Sequence, residues 1–172
     1  MPRKPATPGN APDKLGPGKM DLDKKDRAIL CILQRDNKTP QRRIAEQVNL
    51  STAAVQRRIA AMESAGVIAR NVAIVDAEAV GAGITSIVEV QMRDERAATA
   101  DAAKKLFLAT PQVQQCYYVT GGISFVLVIV TTDMRGYEAL TRKLFNENEL
   151  VSNFRSLLAL NRVKTGTEIV MP

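Results

Sequence analysis

The stretch Lys38 to Val67, KTPQRRIAEQVNLSTAAVQRRIAAMESAGV, constrains the fold more than any other part of the chain, because it encodes two helices with almost nothing between them. Thr39 is placed to accept a bond from a free backbone N–H at a helix start, and Pro40 suits the first helical position, where its missing donor costs nothing. Ile44, Ala45 and Val48 follow at helical spacing until Asn49-Leu50-Ser51 interrupts them. Asparagine tolerates a left-handed backbone and serine is a preferred helix cap, so one helix ends and another begins across these residues. In the second helix Val55, Ile59 and Met62 recur at i, i+4 and i+7 as an inward stripe, and Gly66 supplies a stop. The opposite face keeps Thr52, Ala53, Gln56, Arg57 and Ala60. Such a layout is that of a helix-turn-helix, whose second helix enters the DNA major groove. Small residues permit close approach to base edges, and arginine and glutamine suit guanine and adenine respectively. Ser51, Thr52, Gln56, Arg57 and Arg58 are therefore candidates for a DNA face, with Arg42 and Arg43 directed at phosphates. The alternative for Ser51 is a plain helix cap, and for Arg42, Arg43 and Arg57, less readily, a solvated helix face.

Charge agrees with that placement. Residues 1–70 hold 14 Lys+Arg against 7 Asp+Glu, whereas residues 71–172 hold 10 against 11. The basic excess is confined to the part that carries the two helices, as phosphate neutralisation requires. A histidine general base, a Ser-His-Asp arrangement and histidine metal ligands are excluded, because the chain has no histidine. No catalytic residue, cofactor or metal site is expected. Cys31 and Cys116 lie in apolar segments without a CxxC, which predicts reduced core residues and a cytoplasmic protein. No run approaches the roughly 18 consecutive apolar residues of a membrane span.

Residues 1–20, with five prolines and three glycines, predict a disordered tail. A first helix is expected from about Leu22, with Asp21, Asp23 and Asp26 as helix-start chemistry, continuing through Ile29, Leu30 and Leu33. Residues 21–66 then form a three-helix DNA-binding domain. Val67 to Val75 is β-rich and reads as extended, followed by a turn at Asp76 to Val80, so residues 67–81 are expected to be a hinge.

Residues 82–172 alternate. Strands are predicted at Ile84 to Met92, Val113 to Val119, Phe125 to Val130 and from Ser152 to Leu160, and helices at Glu95 to Ala109 and Arg135 to Phe145. Gly121-Gly122 between two strands is a hairpin signal. The order is βαββαβ, a ferredoxin-like split arrangement, making the whole chain α+β. Phe125 to Val130 is apolar at every position, so both its faces should be buried, yet two helices cover only one face of such a sheet. The second face is therefore expected to pack on another copy, giving at least a dimer that pairs the heads as palindromic half-sites require.

These residues resemble the Lrp/AsnC, or feast/famine, transcription regulators over roughly Asp21 to Lys164. The landmarks are Leu22-Asp23-x-x-Asp26-Arg27-x-Ile29-Leu30, Leu50-Ser51 with Arg58, Glu63-x-x-Gly66-Val67-Ile68, Val119-Thr120-Gly121, Asp133-Met134 and Tyr137. The resemblance implies a DNA-binding head joined by a hinge to a ligand-sensing and oligomerising domain of the RAM or ACT-like type. It also implies double-stranded DNA and further copies of the chain as partners, in dimers that build larger rings, and an amino acid or related metabolite as effector. The matched effector positions are Thr120, Gly121, Gly122, Ile123 and Ser124, together with Thr132, Asp133 and Met134. Amino-acid-sensing members commonly carry Gly-Asp-x-Asp-aromatic there, with carboxylates holding the effector's ammonium; this chain has Gly121-Gly122-Ile123-Ser124-Phe125, neutral at both acidic positions. A weak, altered or absent response to ordinary amino acids is expected, and a plain tight turn accounts for the two glycines equally well. Asn49 replaces the glycine many members carry in the turn. A sequence-specific regulator is the leading expectation, and an effector-independent architectural DNA-wrapping protein the alternative. The same two-domain build serves sirohaem decarboxylases, whose chemistry relies on the histidine this chain lacks.

Overall fold

The computed structural model describes residues 20–172, so the expected tail lies outside the described residues apart from Met20. The described chain divides into two compact units: a head, up to Ala73 together with Gly166–Pro172, and a sheet unit, Ile74–Thr165. That division departs from the expected boundary, because the last seven residues belong with the head and not with the sheet.

The head is built from α1 (Lys24–Arg35), α2 (Gln41–Val48) and α3 (Thr52–Ser64). Each contributes an apolar stripe, and Ile29, Leu30, Ile44, Ala45, Val48, Val55 and Met62 close into one buried cluster. The start of α2 departs from expectation. Pro40 itself sits at the N-cap with an extended backbone, and Thr39 turns its hydroxyl the other way, donating to the Asp36 carbonyl at 2.8 Å. A prolyl carbonyl already supplies the first helical acceptor, at 2.8 Å from the Arg43 N–H, and the exposed helix start leaves its free donors to solvent. Between α2 and α3, Asn49 adopts the left-handed conformation at φ 53°, and Lys25 of α1 caps the end of α2 by donating to the Val48 carbonyl at 2.6 Å. After α3, Gly66 at φ 72° lets the Val67 and Ile68 N–H groups both return to the Met62 carbonyl.

Val67 to Val75 forms no strand. Extended backbone becomes a strand only beside a hydrogen-bonding neighbour, and this chain offers none here. Val67 and Ile68 pack on the head core, whereas Val72, Ile74 and Val75 are exposed. A turn follows, opened by Asp76 accepting from the Glu78 N–H and closed at Gly81.

The sheet unit runs β1 (Ile84–Met92), α4 (Ala97–Leu108), β2 (Val113–Tyr118), β3 (Phe125–Thr131), α5 (Met134–Thr141) and β4 (Val151–Leu158). Its four strands are antiparallel in the order β2-β3-β1-β4, the ferredoxin-like arrangement. The helix after β3 loosens at Arg142–Asn146 into a π turn that still buries Leu144 and Phe145. Against the helices lie Val88, Val90 and Met92 of β1 and Phe125, Leu127 and Ile129 of β3, with Phe107 of α4 packed edge-on to Phe125 at 5.3 Å. Alternation puts Ile87, Val126, Val128 and Val130 on the opposite face, together with Tyr117 and Leu157, which are about half exposed. Cys31 and Cys116 are free thiols, half-buried and not fully enclosed in either core, and burial raises the Cys116 pKa above its ordinary value.

Candidate DNA-binding face and ligand-binding domain

The recognition helix is oriented by its buried side. Val55 and Met62 are fully enclosed in the head, which turns Thr52, Ala53, Gln56, Arg57 and Ala60 outward. Ser51 caps the helix, its hydroxyl oxygen accepting from the Ala54 N–H at 3.2 Å, and lies exposed at the same end. Among the described residues, the side chains of Arg43, Gln56 and Arg57 make no hydrogen bond or ion pair, so their donors point to solvent. Arg42 pairs with Glu46 one turn along α2 at 3.3 Å, but both side chains are largely exposed. A pair of that kind contributes little stability, so its guanidinium can exchange to a phosphate at small cost.

Arg58 behaves differently. Its Nη1 donates to Asp26 Oδ1 at 2.7 Å and to Asp23 Oδ2 at 2.8 Å, across from α3 to the start of α1. Asp23 is the N-cap of α1, accepting from the Lys25 and Asp26 N–H groups, while the Asp26 carboxylate accepts from the Asp23 N–H. This reciprocal capping box presents two carboxylates to one guanidinium, and the Asp26 side chain is almost wholly buried. The hydrogen bond from the Asp26 N–H, then the contact with Arg58, holds the Asp23 carboxyl below its ordinary 3.8 against the opposing effect of desolvation. The Arg58 pKa rises correspondingly, from Asp26 first and Asp23 second. The sequence reading places Arg58 among the candidates for the DNA face; the geometry shares its Nη1 between Asp23 and Asp26 and leaves the side chain about one-third exposed. What that reading missed is the partnership of Asp23 and Asp26 with α3. The signal for it was a cation on α3 one position before the inward Ile59, opposite a helix that begins with three aspartates.

In the sheet unit the eight matched effector positions separate into two groups. Thr120 to Ser124 form the turn between β2 and β3, where Gly121 and Gly122 adopt φ of 109° and 92°. A side chain added at either glycine meets open space, so backbone conformation, and not crowding, calls for glycine there. Ser124 is tied to β1: its N–H donates to the Val90 carbonyl and its hydroxyl oxygen accepts from the Met92 N–H at 3.0 Å. Thr132, Asp133 and Met134 lie at the other end of β3, where Asp133 caps α5 by accepting from the Gly136 N–H at 2.7 Å. The seven-residue strand between the groups spans roughly 20 Å, so within one chain the two groups do not meet. A recess of about 270 Å³ opens instead beside the end of β1, lined by Arg93, Phe145 and residues 146–149 and 151–154.

A family model for the Lrp/AsnC ligand-binding domain matches residues 85–169, and one for a winged helix-turn-helix DNA-binding domain matches residues 22–69. An HTH-type transcriptional regulator of Sinorhizobium fredii, itself described as uncharacterised, is 39% identical over 145 residues, covering 84% of this chain and 86% of its own. The chain belongs to the Lrp/AsnC family. The crystal structure of an AsnC family regulator from Agrobacterium tumefaciens superposes with a TM-score of 0.81 at 30% identity, over 87% of this chain and 97% of that one. A Neisseria meningitidis transcriptional regulator solved in complex with L-Met gives a TM-score of 0.79 at 26% identity, over 87% and 97%. Family members are transcription regulators with a helix-turn-helix, and this chain has the three-helix head and the four-stranded α+β domain of that family.

Arg58→Met retains the apolar stem but leaves Asp26 buried without its cation. We expect the melting temperature of the head at pH 7 to fall on the order of 5–10 °C. Arg58→Met/Asp26→Asn, which removes the buried charge but keeps an acceptor for the Asp23 N–H, should recover part of that loss. A depressed carboxyl stabilises the fold above its ordinary pKa and loses that contribution as pH falls through the folded value. The gap between wild type and Arg58→Met should therefore close on the acid side of 3.8. Circular dichroism melts at several pH values check this; a gap independent of pH, or strictly additive substitutions, rejects the ion pair as the head's lock.

Proposed function

We propose that this Lrp/AsnC member is a sequence-specific DNA-binding transcription regulator that acts as a homo-oligomer through the uncovered face of its sheet. The observation that carries the reading is the outward face of α3. Gln56 and Arg57 stand exposed with uncommitted donors on a helix whose opposite side is buried and whose Arg58 is anchored. Ser51 and Thr52 flank the end that reaches base edges, and Arg42 and Arg43 on α2 supply phosphate contacts. Arg58 acts here as a positioning residue.

Oligomerisation is supported by the apolar sheet face. Val126, Val128 and Val130 lie beside Ile87 and Leu157, with 40% and 45% exposure at the last two. Its ion pair, Arg155 with Glu89, is bidentate at 2.9 Å across neighbouring strands, so each charge on this face already has its partner within the chain. A second copy is the partner whose matching surface is self-complementary by symmetry.

For effector response, the neutral loop argues against ordinary amino acids. Gly122 and Ser124 stand where sensing members carry carboxylates, and the Ser124 oxygen is already engaged by the Met92 N–H. A missing carboxylate partner for a buried ammonium costs about 2–5 kcal/mol, enough to abolish micromolar recognition. Since the two groups of matched residues sit at opposite ends of β3, a ligand touching both would have to bridge two chains.

Gln56→Ala and Arg57→Ala should each weaken operator binding by about 1–3 kcal/mol, whereas Arg42→Ala and Arg43→Ala should weaken all DNA alike and lower the salt slope by about 1 each. Footprints unchanged by the first pair reject the base-reading assignment, and less than about tenfold preference for a native promoter over random DNA favours the architectural alternative. Light scattering at micromolar concentration should find at least a dimer, shifted toward monomer by Val128→Asp; a stable wild-type monomer sinks the assembly. Titration calorimetry with a panel of unmodified α-amino acids should find no submicromolar ligand, and one such ligand would show the neutral loop to be adequate after all.

A further inference from the structure

The head contains a piece of chain that its three helices do not account for. Segment Gly166–Pro172 follows β4 in sequence, yet it packs with the head. The Gln34 carboxamide on α1 donates to the Ile169 carbonyl at 3.0 Å and accepts from the Ile169 N–H at 2.7 Å. One side chain thus satisfies both backbone groups of a single residue, as a neighbouring strand would. About two turns toward the start of the same helix, Arg27 Nη1 donates to the Pro172 carbonyl at 3.2 Å. Between these two points Met171 is half-buried against the head core, while the side chains of Ile169 and Val170 are largely exposed.

We propose that α1 carries a docking surface, formed by Gln34 and Arg27 and the adjoining edge of the head core, whose occupant is the chain's own segment Gly166–Pro172 acting as a strap. The contacts have the character of a latch. Two anchors, at Ile169 and Pro172, are hydrogen bonds between head side chains and the segment's backbone, and its apolar anchor, Met171, is only half-buried. The consequence lies in connectivity. The chain leaves the head after Ala73 and returns to it at Gly166, so a docked strap gives the head two covalent tethers. The stretch between Ile68 and Ile84 has 15 residues and reaches at most about 50–60 Å when extended. The stretch between Leu158 and Gly166 has seven and reaches at most about 25–30 Å. With the strap docked, the shorter tether limits how far the recognition helix can travel from the end of β4; with it released, only the longer one does. The geometry assigns to this segment control over the volume searched by the head, a property independent of whether the head reads a specific sequence.

The test uses the full chain with Cys31→Ser and Cys116→Ser as background and needs no DNA. Gln34→Cys/Ile169→Cys, oxidised and run on a denaturing gel, should close a disulfide within one chain. Separately, spin labels at Gln47 and Lys105, both exposed, are introduced in chains co-refolded with excess unlabelled protein, so that only distances within one chain are read. The distance distribution should at least double in width when residues 166–172 are deleted, and should broaden in the same direction with Gln34→Ala, which leaves the segment in place. Disulfides formed only between chains, or a width unchanged by both variants, overturns the proposal.

Discussion

The sheet unit is organised by a single strand that is apolar on both sides. β3 lies between β2 and β1, so its hydrogen bonds are satisfied within the sheet and its side chains alone decide what must lie above and below. Phe125, Leu127 and Ile129 bury against α4 and α5, which accounts for the aromatic cluster with Phe107. Val126, Val128 and Val130 leave the other side of this strand apolar, and among the described residues no helix covers it. A half-buried sheet of an isolated domain ordinarily alternates apolar with polar residues, and β1 does so with Glu89 and Gln91. β3 does not, and that is the physical reason a second copy enters the functional reading.

The head depends on a different kind of interaction, one that fixes rotation more than it adds affinity. Apolar packing by Val55 and Met62 holds α3 in the head but tolerates some turning about its axis, because such contacts are non-directional. The contact of Arg58 Nη1 with both Asp23 and Asp26 is directional. It joins the middle of α3 to the cap of α1, and Lys25 on the same turn of α1 caps α2. The first turn of α1 is therefore the point at which all three helices are pinned, and neighbouring Gln56 and Arg57 inherit their outward direction from it.

Much of this was legible in the residues, and the failures share a cause. Periodicity located the helices and the boundaries of β1 because burial on one face of one element writes itself directly into the pattern. The Asn49 turn was readable because few residues adopt that conformation. Three features depend instead on partners remote in sequence. Arg58 looks like Arg57 until α1 is placed beside it. Val67 to Val75 has strand composition but no neighbour to pair with. Gly166 to Pro172 carries no helical or strand periodicity, and its placement comes from Gln34, 135 positions away from Ile169. The neutrality of the loop at Gly121-Gly122 is plain in the residues; that both glycines hold positive φ while facing open space depends on the path of the turn's backbone, which the residue types alone do not specify.

The layout of β3 and the loss of the loop carboxylates bear on each other. Because β3 holds Thr120 to Ser124 and Thr132 to Met134 at opposite ends, a ligand contacting both groups would contribute to an interface between chains, and its binding energy would act on assembly. Removing the acidic partners from such a site weakens that coupling without touching the apolar face that holds two copies together, since Val126, Val128 and Ile87 are not in the loop. On the proposed reading, assembly in this chain therefore relies on the sheet face, with little help from an amino-acid ligand. The strap on α1 is a part of the head built from the chain beyond β4, which makes it a point where a change at the sheet's edge strand can reach the head through the connecting chain and the strap's contacts with α1.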